Sequence, residues 1–283
     1  MGSDVHVIIW ASSSADRLAH LALRRVDLLE QCWSRFRCDS EVSLLNARAG
    51  HGPVRVSEDL ERLVSAIVGA HAWSEGDVDA TVSGAMVAMG YDADFATIAS
   101  SAVPPSWDPV PSAGMSGVVV TAGSVALATG VALDPGAIGK GLAGDIVTSE
   151  LVAAGAAGVL VSIGGDVVTR GTPPDAEAWR VSLRDDRTPA RDEIHVISLA
   201  GTQRAVATSS TLRRRWADRH HVVDPRTGSP VATDVVQASV VADSGWRAEA
   251  GATVALVRGS ASAGWLEERG CTAYLLPGVP VHA

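Results

Sequence analysis

The N-terminal residues MGSDVHVIIW read as a strand that begins almost at once. Beyond it, Leu18, Leu21, Ala22, Leu28, Leu29 and Cys32 recur near helical spacing, and Ser13 or Ser14 stands where a cap belongs. That pattern predicts a helix through about Trp33. A second helix is expected from Ser57, where Glu58 and Asp59 occupy a favourable first turn, to about Ser74. Residues 100–117 carry four Pro among small polar residues and read as a loop or an interdomain connection. Short β-rich runs follow at Val118–Val120 and Ser124–Ala128.

The middle of the chain is the most patterned part. LDPGAIGKGLAGDIVTSELVAAG is a glycine-rich turn leading into an amphipathic helix, followed by an apolar strand at Val159–Ile163 and a turn at Gly164-Gly165-Asp166. Further strands are expected around Trp179–Leu183, His195–Leu199, His221–Val223 and Ala238–Val241. A helix from about Arg247 to Val257 and a strand near Thr272–Leu276 close the chain. Strands and helices mix without strict alternation, which favours α+β over a doubly wound sheet.

Composition narrows the reading. The 283 residues, 47% of them apolar, suit one large domain or two small ones with a substantial core. Aromatics make up 4%, so the core is expected to consist of small, closely packed side chains. A net charge of −9 argues against broad contact with nucleic acid. No stretch reaches the ~18–20 apolar residues of a spanning helix. The N-terminus lacks a secretory pattern, and three cysteines without metal spacing fit a reducing compartment, so the cytoplasm is expected. Oligomeric state has no signal.

Three segments carry candidate chemistry. In the run from Asp134 to Gly144, Gly139, Gly141 and Gly144 satisfy G-x-G-x-x-G ahead of a helix, as a dinucleotide fold would require. Asp134 and Pro135 are poor content for the buried strand such a fold needs, and the fingerprint normally opens its unit. A Walker loop fails because Asp134 replaces the first Gly and Gly141 replaces Ser/Thr. What survives is an anion site made of backbone N–H groups and Lys140, with a tight turn and close helix packing as the alternative. Glu249 and Thr253, four apart on a helix, point the same way and place two oxygens toward one hard cation, although such a pair is commonplace on helices. His220-His221-Val-Val-Asp224-Pro-Arg226-Thr-Gly228 is a turn that gathers imidazole, carboxylate and guanidinium within a few residues. Arg213-Arg214-Arg215 reads as a solvated face, with a phosphate patch as the alternative. No G-x-S-x-G elbow is present, and the cysteines read as buried rather than nucleophilic.

Taken in order, these segments resemble the ApbE family, the FAD:protein FMN transferases, over nearly the whole chain. WSRFRCDSEVSLLN is similar to the family's Ser-x-Tyr-Arg-x-Asp-Ser-Glu-Leu-Ser segment, and VDATVSGAMVAMGY to its Asp-x-Thr-x-Gly segment. LDPGAIGKGLAGD, VSIGGDV, VATSS and HHVVDPRTGSPV match the blocks that follow, and MGSDVHV its opening strand. The resemblance implies an α+β, T-fold-related architecture of mixed, largely antiparallel sheets packed with helices, in a single domain over residues 1–283. It implies FAD as substrate, with a Ser or Thr hydroxyl of an acceptor flavoprotein attacking the FMN phosphorus and AMP leaving. Carried over by position, Met1, Phe36, Asp79, Ala80 and Thr81 contact the flavin nucleotide, Asp134 and Lys140 line the FAD site, and Val223 contributes backbone. Mg2+ is implied between the Ala137 carbonyl, Glu249 and Thr253, and His221 and Asp224 are candidates for proton handling. Glu249 stands where the family usually has Asp, and Phe36 where it has an aromatic carrying a hydroxyl. FAD hydrolysis to FMN and AMP, or FAD binding without turnover, are the alternatives.

Overall fold

The computed structural model describes residues 3–98, 106–188 and 193–278. In chain order the first elements are β1 (Val5–Trp10), α1 (Ala15–Trp33), α2 (Glu41–Ala47), β2 (Val54–Arg55) and α3 (Glu58–Trp73). Then come α4 (Ser83–Ala88), α5 (Phe95–Ile98), β3 (Val118–Thr121), β4 (Ser124–Leu127), α6 (Gly139–Ala153), β5 (Gly158–Ile163) and β6 (Asp166–Gly171). The chain continues through β7 (Trp179–Arg184), β8 (Glu193–Leu199), β9 (Gln203–Ser210), β10 (Arg215–Trp216), β11 (Arg219–His220) and β12 (Val235–Ala242). It closes with α7 (Gly245–Arg258), α8 (Ser262–Glu267) and β13 (Thr272–Pro277).

The centre is a six-stranded sheet in the order β1-β5-β6-β9-β12-β13, antiparallel at every pairing. β5 explains why its sequence is an apolar run rather than an alternation. Val159, Val161 and Ile163 enter the core shared with α1, α3 and α6, while Leu160 faces the β7–β8 hairpin with Trp179, Leu183, Ile197 and Leu199. Burial on both faces removes the polar positions a half-exposed strand would keep. β2-β4-β3 form a small antiparallel sheet at the side.

The small-residue composition shows most clearly in α7, where Ala248, Ala250, Ala252, Ala255 and Gly251 are all buried. This helix lies against β9, β12 and α6. A Cβ on Gly251 would approach Val240 Cγ1 to 2.9 Å. The architecture is α+β with mostly antiparallel sheets, as the mixed order of elements predicts.

Two local expectations change. Ser14 precedes α1, but its backbone is left-handed (φ 61°) and its side chain makes no capping bond, because a cap needs an extended residue there. Ser57 satisfies that condition, and its hydroxyl accepts the Leu60 N–H at 3.2 Å. The strand expected at His221–Val223 is absent. β11 ends at His220, and Val223 forms one isolated bridge with Pro230. Proline has no N–H to extend the ladder, and the chain reverses at once through the Asp224–Gly228 turn. In the proline-rich stretch, residues 106–114 form no regular element and 115–117 a single 3-10 turn.

Candidate active site

α6 and α7 meet at their N-termini, and glycine makes the meeting possible. A Cβ on Gly141 would lie 2.2 Å from the Gly245 carbonyl oxygen, and one on Gly245 would lie 2.2 Å from the Gly141 oxygen. Gly144 faces Val168, with a built Cβ 2.5 Å from its Cγ2. Two of the three glycines in the G-x-G-x-x-G spacing therefore serve close packing of helix on helix and helix on sheet, the alternative that the sequence left open.

The crossing places each helix's acid on the other helix's orphan amides. Glu249 Oε2 on α7 accepts the Gly141 N–H at 2.7 Å. Asp145 on α6 accepts the Gly245 N–H at 2.7 Å and the Trp246 N–H at 3.1 Å, and Gln203 Nε2 at 2.9 Å. First-turn N–H groups have no partner in their own helix, so each acid caps its neighbour and fixes the pair in register. Burial pushes the Asp145 carboxyl up to about 6, against the pull of those two amides.

Lys140 lies at the same junction. Its ammonium pairs with Glu249 Oε1 and with Asp166 Oδ2, the first residue of β6, whose other oxygen accepts the Thr208 N–H at 3.0 Å. Burial works against the ammonium charge, but Asp166 and Glu249 hold it above its ordinary range. Burial pushes Glu249 up to about 7, opposed by Lys140.

Above this junction opens a cleft of about 1130 Å³, part of it open to solvent, lined by Phe36, Asp79, Asp134, Ala137, Lys140, His221, Val223 and Thr253 among others. One wall is aromatic: the Arg35 guanidinium lies 4.1 Å from the Phe36 ring centroid and 4.7 Å from that of Tyr91. The Arg35 Nε pairs with Asp134 Oδ2 at 2.9 Å. Asp134 Oδ1 accepts the Gly136 N–H at 2.9 Å, which shapes the turn into α6.

Asp79 faces the cleft while its Oδ1 binds the Thr81 N–H (2.7 Å) and hydroxyl (2.6 Å). Ala80 and Thr81 stand behind this wall. The Ala80 carbonyl accepts the Asp134 N–H at 2.7 Å, and the Thr81 hydroxyl accepts the Gly114 N–H at 2.8 Å. The two segments are thereby fastened together.

His221 lines the cleft with a buried Nδ1 that has no hydrogen-bond partner among the described residues. Burial, then the nearby Arg214, push its pKa down to about 3, so the ring is neutral at physiological pH. Asp224 does not face the cleft. Its carboxylate holds the Asp-Pro-Arg-Thr-Gly turn by accepting from the Arg226 N–H (2.9 Å) and Nη1 (3.1 Å). Arg226 also reaches the buried Asp77, which Arg258 engages from α7, so turn and helix are clamped together. Met1 lies outside the described residues.

Ala137 and Thr253 line the wall that carries Lys140, and Glu249 reaches it from beneath. An Ala137 carbonyl, a carboxylate and a hydroxyl form an all-oxygen donor set, the kind magnesium takes. Thr253 Oγ1 donates to the Glu249 carbonyl at 3.3 Å, which leaves its lone pairs to the cleft. Among the described residues no group of three His, Cys, Asp or Glu is arranged to hold a metal ion. Ala137 and Thr253 would offer such an ion oxygens at the cleft wall, while Glu249 would have to share Oε1 with the Lys140 ammonium and Oε2 with the Gly141 N–H.

Arg35, Tyr91 and Asp166 belong to the cleft or its base without a site role in the sequence reading, and Arg214, read there as part of a solvated face with a phosphate patch as the alternative, also lines the cleft. Asp166 had a signal, a carboxylate directly after Gly164-Gly165, where the turn delivers it to the head of β6. Arg35 had one in its adjacency to Phe36.

The sequence model of the ApbE family matches residues 1–275. The FAD:protein FMN transferase of Treponema pallidum is 29% identical over 268 residues, 85% of this chain and 72% of that protein. That of Vibrio cholerae is 26% identical over 234 residues, 80% of this chain and 69% of that protein. The apo form of the Pseudomonas stutzeri flavinyl transferase ApbE superposes with a TM-score of 0.78 at 22% identity, covering 98% of this chain and 93% of that one. The ApbE protein of Thermotoga maritima gives 0.82 at 23%, covering 98% and 91%. Those structural likenesses establish the fold; with the family match running from the first strand to the last, the chain belongs to the ApbE family.

Proposed function

We propose that this chain binds FAD in the cleft above the α6–α7 junction and transfers its FMN half to a Ser or Thr hydroxyl of an acceptor flavoprotein, releasing AMP. One observation carries the reading: an aromatic wall, a buried lysine–carboxylate cluster and an unpartnered histidine nitrogen converge on one cleft in a chain of this family. The curated relatives reported above bear the name of that transfer.

In this reading Phe36 packs against the flavin nucleotide. The positive end of the α6 dipole, which begins at Gly139 on the cleft wall, favours the phosphates. The acceptor oxygen attacks the FMN phosphorus, a new P–O bond forms, and the P–O bond to AMP breaks. The proton of the attacking hydroxyl passes to His221, whose ring is neutral and lines the cleft. A bound pyrophosphate beside that ring raises its proton affinity from the low value that burial imposes. A magnesium ion held by the Ala137 carbonyl, Glu249 and Thr253 would supply neutralisation of the charge growing on the leaving phosphate. Asp224, fixed in its turn, serves by presenting Val223 and His221 to the cleft.

The test is an incubation of the purified chain with FAD, magnesium and a protein bearing a Ser/Thr flavinylation motif, read by intact mass. The expected result is a gain of one FMN on the acceptor that disappears in Thr253→Ala and without metal. An acceptor of unchanged mass under all conditions would refute the proposal.

A further inference from the structure

The three consecutive arginines before β11 sort into three different surroundings. Arg213 is exposed, and its Nε pairs with Asp186 at 2.6 Å. Arg215 turns its Nη1 to the Thr211 carbonyl at 3.1 Å. Arg214 lies between them in the left-handed region (φ 46°), which few non-glycine residues adopt, and it lines the cleft. The chain is pinned just beyond, where the Trp216 indole donates to the Met89 carbonyl at 2.8 Å. The left-handed residue therefore sends the middle side chain opposite to its neighbours. Held backbone strain at a ligand site is a recurrent sign of function.

The charges of the cleft wall point the same way. Arg35 is matched by Asp134, and Lys140 by both Asp166 and Glu249. His221 is neutral. Arg214 forms no ion pair among the described residues, and its Nη2 donates a long hydrogen bond to the Ser3 hydroxyl at 3.4 Å. Among the described lining residues, Arg214 is thus the cation whose charge is left for a ligand.

We infer that Arg214 is the phosphate anchor of the cleft, a substrate-binding residue whose guanidinium grips the pyrophosphate of the incoming dinucleotide. The inference rests on the FAD reading above and adds what selects the phosphorylated substrate. A guanidinium presents paired donors that match two phosphate oxygens, whereas the backbone amides of the helix start offer single ones.

The experiment measures binding of FAD, riboflavin and inorganic pyrophosphate to the full chain, in wild type, Arg214→Gly, Arg214→Lys and Arg213→Ala. Glycine accepts the left-handed backbone, so Arg214→Gly removes the side chain without adding strain. The expected result is FAD and pyrophosphate affinity weakened roughly ten- to a hundredfold in Arg214→Gly, the range for a hydrogen bond to a charged group. Riboflavin, which carries no phosphate, should bind all variants alike. Arg214→Lys should recover part of the loss, and Arg213→Ala should match wild type. The salt dependence of FAD binding should flatten in Arg214→Gly. FAD bound equally by wild type and Arg214→Gly would overturn this inference alone. An equal loss for riboflavin would also overturn it, by making Arg214 structural. Wild type binding neither FAD nor pyrophosphate would overturn it together with the functional reading.

Discussion

Gly141→Ala tests whether the α6–α7 contact sets the geometry of the site. The added Cβ would lie 2.2 Å from the Gly245 oxygen, 2.3 Å from its carbonyl carbon and 2.8 Å from the Trp246 nitrogen, all backbone atoms that cannot rotate away. A carbon–oxygen contact relaxes at about 3.3 Å, so the helices must part by roughly 1 Å. Overpacking of this kind costs about 1–3 kcal/mol, offset by the ~0.5–1 kcal/mol that alanine gains over glycine in a helix. At about 2–4 °C per kcal/mol for a chain near this size, the melting temperature should fall by a few degrees. The separation also stretches the Gly141 N–H bond to Glu249 from 2.7 Å beyond hydrogen-bond range and displaces Lys140 from its partners. A misplacement of ~1 Å at a reacting centre costs on the order of a hundredfold in rate. The assay pairs thermal unfolding with the rate of FMN transfer. Gly69→Ala on α3 is the control, because its Cβ would meet nothing within 4 Å and it does not line the cleft. Unchanged melting and rate in Gly141→Ala, or equal losses in the control, would refute the reasoning.

Lys140→Met removes the cation between two buried carboxylates, and stability at pH 7 should drop by about 3–5 kcal/mol in denaturant unfolding; an unchanged midpoint would contradict the ion-pair assignment. Asp145→Ala leaves the Gly245 and Trp246 N–H groups and Gln203 without their acceptor, for a loss of about 2–4 kcal/mol. Asp145→Asn, which retains an acceptor oxygen, should lose clearly less, and equal losses would argue against capping. The histidines set the acid side of the stability profile. His220 and His221 are pushed down to about 4 and about 3, both chiefly by burial, so the unfolded chain binds more protons as pH falls from about 6.5. Stability from these two groups is therefore present above pH ~6.5 and lost toward pH 4. Asp145 and Glu249, raised to about 6 and about 7, act with the opposite sign over the same window, so the histidine contribution is isolated by substitution. The melting temperature of His220→Asn relative to wild type should rise as pH goes from 7 to 4.5; a difference that does not change with pH would contradict the burial of the His220 ring.

Much of this could be read from sequence because the causes are local. Ser57 caps α3 through its own neighbourhood, and the β5 run announces burial on both faces. The central block from Asp134 to Asp145 marks the turn and helix on which the site is built. What escaped depends on distant partners. The Asp166 carboxylate matters because β6 lies beside Lys140, and Asp145 matters because α7 ends against it, a hundred residues along the chain. β6 and β9, mixed in character, are strands by virtue of the neighbours they pair with. The Arg213–Arg215 run reads as one charged face until a single backbone angle separates its members. G-x-G-x-x-G spacing shows the opposite hazard, since Gly141 and Gly144 satisfy a phosphate-loop pattern while their lack of a side chain serves packing.

The most direct test of the central claim counts products in one reaction: AMP released and FMN covalently bound to acceptor, with FAD and magnesium in excess. Transfer predicts the two in equal amounts, rising together, with negligible AMP when the acceptor is withheld and both abolished in His221→Ala. AMP released at the same rate without acceptor would contradict transfer and make the chain a FAD pyrophosphatase.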